Sequence, residues 1–429
     1  MRGSRARTQG AASGPPVGSG VPVGAASTVS TVHHVAVVTT SHPPTDPRVY
    51  HRQIRTALRF GYRVSYPVPA WRANAVPPAP GLCVIPVALG RTRFARMLTA
   101  PRLLWAAIRA KAELVHFHDL ELLGWAAVFS PFCRARFVYD AHEHYPDQVR
   151  EKYWLPTFTR GVLSKVVDLY EGLLVPRMDA VVAADDALGA RYAKWQRLVL
   201  TLPNFPLLGL FPWSDPDPAS TRLVYVGSVS SIRGAEVMLE AVARIRKHHS
   251  GICLEILGNC HDPVYRCLLL RRIRELGLTE HVELHDPVPH LEVRNHIQAA
   301  VIGLCPLCDI PKFHKNVPTK LFEYMACGRA VVASRLPTTT PYLPPTAGIL
   351  VEPGSPLALA EAVIGLLDQP DRCRNMGRQG RRLVETRYNW ARIESRLGAL
   401  YAILLGTATR DGGVSGDTTS AAKRQRRSP

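Results

Sequence analysis

The sequence predicts an α/β protein of two Rossmann-like, doubly wound domains facing each other across a cleft. Three observations carry this. Short apolar runs alternate with helical periodicity in two successive series. A proline-rich stretch of little periodicity, 205–221, separates them and reads as a linker. The length, 429 residues with a hydrophobic fraction of 46%, is ample for two cores.

In order, residues 1–32 are rich in Gly, Ser, Ala and Pro and read as a disordered tail. A buried strand is expected at 35–40, then a loop holding Pro43, Pro44, Asp46 and Pro47, a helix over 48–60 stopped by Gly61, and a strand at 62–68. Further strands are expected at 83–87, 113–117, 137–139, 180–184 and 198–202, with helices at 120–130 and 159–176. This first domain covers 33–204. The second, 222–387, has expected strands at 223–227, 253–258, 282–284, 301–306, 330–333 and 349–351. Its helices fall near 235–247, 262–276, 290–299, 318–327, 356–367 and 371–386. A last helical segment occupies 388–405, and 406–429 reads as a disordered basic tail.

The net charge is +19 and the sequence pI about 9.9, so a phosphate-bearing partner suits the chain: nucleotide, nucleic acid or anionic lipid. No recognition-helix motif, zinc knuckle or aromatic-basic RNA signature appears, which argues against nucleic acid. Nine cysteines, an odd number without a secretory signal, read as reduced thiols of a cytoplasmic protein. Cys305 and Cys308 form a lone CxxC, read as thiols at a strand end rather than a metal or redox site. No window is long and apolar enough to span a bilayer. The stretch 91–111 carries Arg91, Arg93, Arg96, Arg102, Arg109 and Lys111 among Trp, Phe and Leu. It fits a helix on an anionic membrane surface or a core helix with solvated arginines. On the first reading the protein is peripheral on the inner face of a membrane.

Ligands of open α/β sheets bind beyond the carboxyl ends of the strands, so the loops after strands hold the candidates. In 315–334, Asn316 suits a helix cap, Pro318 its first turn, and Gly328 its stop. Lys320 and Glu323 share its polar side, as a phosphate-ligand site or as an ordinary solvated ion pair. Gly227 and Gly234 flank a Ser-rich strand–helix turn carrying Arg233, which suits a phosphate or an idle surface turn. Asp140, His142 and His144 follow another strand; either they serve an acceptor or Asp140 caps a turn and His142 is structural. Asp185 and Asp186 are adjacent and lie at an expected helix start, so no Asp-x-Asp metal motif is present.

Taken together, four segments resemble the retaining nucleotide-sugar glycosyltransferases of family 4 (group 1), with the GT-B architecture. They are the strand ending His116-Phe-His118, the turn Gly227-Ser228 to Arg233-Gly234, the run Pro318-Thr319-Lys320-Leu321-Phe-Glu323 to Gly328, and Tyr388-Asn-Trp390 before the last helix. The resemblance covers about 34–404 and implies that the last helix crosses back to the first domain. It implies transfer of a sugar from a nucleotide-diphosphate donor, UDP- or GDP-linked, to a glycan, lipid-linked or small-molecule hydroxyl, with no metal and no other cofactor. Glu323 would accept from the ribose hydroxyls, Arg233 and Lys320 would neutralise the diphosphate, and His118 would contact the transferred sugar. Gly227, Ser228, Pro318, Thr319 and Leu321 would complete the donor site, and Arg48 would touch phosphate or acceptor; His142, read from its place at a strand end, is the further acceptor-side candidate. Lys315 stands where a glutamate is common, and Ser228 where an arginine is. Two alternatives accompany this reading: a GT-B sugar-nucleotide epimerase, and a non-catalytic nucleotide-binding paralogue.

Overall fold

The structure, a computed structural model, describes residues 32–151 and 155–407. The two expected tails lie outside the described residues apart from Val32, Gly406 and Thr407.

Seven strands form the first sheet: β1 (His34–Val38), β2 (Arg63–Pro69), β3 (Leu82–Val87), β4 (Leu114–Phe117), β5 (Arg136–Ala141), β6 (Ala180–Ala183) and β7 (Val199–Thr201). Their order is β3-β2-β1-β4-β5-β6-β7. Six form the second: β8 (Arg222–Val226), β9 (Cys253–Leu257), β10 (Val282–His285), β11 (Ile302–Cys305), β12 (Ala330–Ser334) and β13 (Gly348–Val351), in the order β10-β9-β8-β11-β12-β13. Every pairing is parallel, and the central strands are buried on both faces, which explains their unbroken Val/Ile/Leu/Ala runs. Strand order reverses between β1 and β4 and between β8 and β11, and each reversal opens a crevice at the carboxyl ends.

The expected helix over 48–60 is two segments. A π-helical turn, Pro47–Ile54, is capped by the Asp46 carboxylate, which accepts from the amides of Arg48 and Val49. An α-helix, Arg55–Arg59, follows. The stretch 91–111 is likewise divided, into helices Arg93–Thr99 and Pro101–Arg109, because Pro101 lacks the amide needed to continue the first. The second buries Leu103, Leu104 and Ala107, as a core helix with solvated arginines should, while Met97, Leu98 and Trp105 stay exposed. The helix expected at 159–176 runs Thr157–Leu174 and tightens into a 3-10 turn at Pro176. Helix Tyr145–Glu151 escaped the periodicity because it spans only seven residues, whereas Asp186–Tyr192 begins where a helix start was expected. Asp185 caps the second by accepting from the Leu188 amide.

The chain ends by returning to the first sheet. Trp390 is fully buried and its Nε1 donates to Thr56 Oγ1 at 2.8 Å. From the last helix, Glu394–Leu405, the Tyr401 hydroxyl meets His116 Nδ1 at 2.6 Å. Among the described residues no helix is long and apolar enough to cross a membrane.

Candidate active site

Between the carboxyl ends of the two sheets lies a cleft of about 520 Å³. Arg48, Arg52 and His142 line it from the first half, and Gly227, Arg233, Lys320 and Glu323 from the second.

Helix Thr319–Ala326 positions the second group. It buries nearly its whole circumference, Lys320 and Glu323 included. Pro318, not Asn316, holds the cap position, and no side chain caps the helix, so its first amides face the cleft end without a side-chain acceptor. Lys320 Nζ sits 3.5 Å from the centre of the Tyr225 ring and has no hydrogen-bond partner. Gly227, at φ +127°, permits this approach, since a β-carbon there would lie 3.2 Å from Nζ. Burial raises the Glu323 carboxyl above its ordinary pKa, with Arg52 and then Lys320 opposing it. No ion pair joins Lys320 and Glu323 among the described residues, so the solvated-pair reading does not describe them. Arg233 lies over the Phe313 ring at 5.7 Å. Ser228 and Thr319 line the cleft, whereas Leu321 is fully buried and packs in the core.

The first half contributes a charged network. Asp140, fully buried, accepts from Arg48 Nε at 2.9 Å and from Gln53. His116 Nε2 lies 3.4 Å from its carboxylate, and His118 Nδ1 and His142 Nδ1 lie 3.5 Å away. Burial opposes ionisation of Asp140, but the Arg48 charge and the histidines outweigh it and hold the carboxyl well below the usual range. Arg48 also donates to Leu202 O and Asn204 Oδ1, while its Nη2 remains unpartnered. Arg52 donates to Phe205 O at 2.8 Å, and burial pushes its pKa down to about 10.

His118 does not reach the cleft. Its side chain is fully buried, stacked on His116 at 5.4 Å and covered by His42 and His142. Burial takes its pKa down to about 4 despite Asp140. The exposed imidazole edges at this corner belong to His142 and to His42, which the sequence reading overlooked. Burial alone would lower His42; Asp119, with Asp46 and Asp140, reverses this and raises it. Asp119 itself sits at φ 68° and accepts from Thr39, Thr40 and Ser41, which fastens the loop after β1 to the loop after β4. The signal for His42 was its place in the loop after the first strand.

His116, His118 and Asp140 place ligand-type atoms within 4.8 Å of one another. The Arg48 guanidinium already occupies Asp140, so a metal ion there would face a fixed cation. Lys315 lies apart from the cleft lining and pairs with Asp147 of the first half at 2.6 Å. The nine cysteines are free thiols.

Residues 220–369 match the family model described as Glycosyl transferases group 1. The fold is the GT-B architecture, and residues 220–369 are similar to the glycosyl transferases group 1 family. Among curated relatives, a D-inositol 3-phosphate glycosyltransferase of Segniliparus rotundus is 25% identical over 227 residues, 49% of each chain. A glycogen synthase of Mycobacterium tuberculosis is 22% identical over 308 residues, 68% of this chain and 69% of that one. The chain spans about half the length of the D-inositol 3-phosphate relatives it matches, 49% and 46% for those of S. rotundus and Corynebacterium glutamicum. A sucrose-phosphate synthase structure from Thermosynechococcus elongatus superposes with a TM-score of 0.71 at 19% identity, over 88% of this chain and 100% of that one. Anabaena HepE in complex with UDP gives 0.65 at 14%, over 87% and 100%.

Proposed function

We propose that the protein is a retaining glycosyltransferase that moves a sugar from a nucleotide-diphosphate donor to an acceptor hydroxyl. The observation that carries this is the buried Lys320 ammonium, without a hydrogen-bond partner, beside Gly227, in a cleft that also presents Arg233, Arg48, Arg52 and the carboxylate of Glu323. A buried cation without a hydrogen-bond partner is costly, and a diphosphate would supply the missing charge. The leaving diphosphate gains negative charge as the bond to the sugar breaks, so Lys320 and Arg233 stabilise the transition state more than the bound donor. They supply that charge without a metal. Glu323 accepts from the vicinal ribose hydroxyls, and Pro318, Thr319 and Ser228 border the donor. His142 and His42 border the transferred sugar and acceptor, with His118 behind them as a positioning group held through Asp140.

The match to a complex with UDP supports a UDP-linked donor, with GDP as the competing choice. The relatives named above are transferases, which favours transfer over epimerisation. On this reading 33–204 is the acceptor-side domain and 222–387 the donor-side domain. The basic stretch 91–111 supports peripheral contact with an anionic membrane on the cytoplasmic side.

Calorimetry with UDP, GDP, ADP and dTDP on the wild type and Glu323→Gln tests the reading. One diphosphate should bind, and the variant should bind it ~10–100-fold more weakly through loss of a charge-assisted hydrogen bond. Equal affinity in both proteins would remove Glu323 from the donor site.

A further inference from the structure

A second groove, of about 970 Å³, opens on the first half beside the cleft. His42, His142 and Glu143 line both, so the two spaces are continuous. Its lining is mixed: Asp119 and Ser41 join those histidines, Glu121 and Gln148 add polar groups, and Met97, Leu98, Trp125, Val128 and Val166 belong to its larger apolar part. All five of these apolar side chains are exposed, and nothing among the described residues covers them. The volume falls in the range of ~300–1,000 Å³ usual for ligand sites.

One wall is helix Thr157–Leu174, whose burial pattern is inverted. Its buried residues are Ser164 and Glu171, Glu171 held by Arg191 and Tyr192. Phe158, Val162, Val166, Leu169 and Leu173 recur at three- and four-residue steps and are exposed, Phe158 by 83% and Leu169 by 63%. Such a stripe on a helix normally faces a core. The opposite wall is Arg93–Thr99, within a stretch of six basic and no acidic residues, 91–111. An apolar stripe beside a basic segment suits an anionic lipid surface.

We propose that this groove takes the hydrocarbon chain of a membrane-borne amphiphilic acceptor, while the exposed stripe of Thr157–Leu174 rests in the lipid leaflet. This rests on the transferase reading above and names its acceptor class. The part of the groove shared with the cleft sets the acceptor's head at His42 and His142, facing the donor side, and the chain leaves along Leu98, Trp125 and Val166 toward the leaflet. A protein partner on the stripe would have no use for a groove running into the cleft; an amphiphile needs both.

The test uses the full chain with dodecyl phosphate below its micelle concentration, butyl phosphate as control, and UDP binding measured separately. Dodecyl phosphate should bind at least ~30-fold more tightly than butyl phosphate, since each buried methylene adds to affinity. Leu98→Asp with Val166→Asp, both at exposed positions, should cost at least tenfold and leave UDP affinity unchanged. Phe158→Ser with Leu169→Ser should abolish co-sedimentation with phosphatidylglycerol vesicles, which in the wild type should weaken as salt rises. Equal binding of the two phosphates, or binding that survives the groove variant, overturns the proposal. So does a concentration-dependent dimer in sedimentation velocity that the stripe variant abolishes, because the stripe then faces a second copy. Loss of UDP binding alone would sink the donor reading and leave the groove result standing; normal UDP binding with no chain-length dependence sinks only this inference.

Discussion

Replacing Asp140 by Asn keeps the shape of the first half's network and removes its central carboxylate charge. The carboxylate pairs with Arg48 at 2.9 Å, and both side chains are buried. Unit charges about 4 Å apart interact by ~4 kcal/mol at the effective dielectric suited to such sites. Breaking a buried pair costs ~3–5 kcal/mol, because the partner is left uncompensated. Leu202 O and Asn204 Oδ1 still accept from Arg48 and soften the loss, so Asp140→Asn should cost ~3 kcal/mol. Arg48→Met should cost a similar amount. The double variant leaves neither charge alone and should cost ~3 kcal/mol in all, a coupling of ~3 kcal/mol against the sum of the singles. Calorimetric melting reads this as a fall of ~6–12 °C in the transition of the first half for each single variant, with little further fall in the double. Additive costs, with coupling below ~0.5 kcal/mol, would refute the pairing as the centre of the network.

Three further outcomes follow from single features. Lys320→Met should leave the melting temperature level or raised, since it removes a buried charge without a hydrogen-bond partner, yet weaken UDP binding ~100-fold by loss of a charge-assisted contact; thermal shift with and without UDP checks both arms. Gly328→Ala should cost ~2–4 kcal/mol, because Gly328 sits at φ +76° and a β-carbon there would lie 2.2 Å from the Trp213 ring; chemical denaturation measures it. Stability should fall as pH drops from 6.5 toward 4. The unfolded chain protonates its histidines near 6.5, whereas burial holds His118, and burial with Arg52 holds His290, unprotonated until about 4. Each contributes at most ~3 kcal/mol across that window. Asp119 and Asp140, held below the usual carboxylate range, extend the loss to lower pH, while His42, raised by Asp119 and its neighbours against burial, loses its contribution as pH rises above 6.5. A melting temperature flat from pH 7 to 4.5 would contradict this.

Much of the architecture was legible because it rests on local periodicity. Buried parallel strands must be apolar on both faces, so β1, β4, β8 and β12 announced themselves. Gly328 ended its helix as its left-handed conformation requires. The short helix Tyr145–Glu151 and the π-turn at Pro47–Ile54 were not legible, since too few residues repeat to mark a face.

By itself the sequence determined the class of fold and the stretch that carries Lys320 and Glu323, because strand composition, turn glycines and helix spacing are set by neighbouring residues. The tertiary structure alone decided which side chains meet. It placed His118 behind His42 and His142 instead of in the cleft, gave Arg48 to Asp140, and sent Lys315 to Asp147. Among the described residues it also left the apolar face of Thr157–Leu174 bare, where periodicity alone would have assigned it to a core. These pairings join residues from 24 to 168 positions apart, and no local pattern encodes a distance that only chain crossings fix.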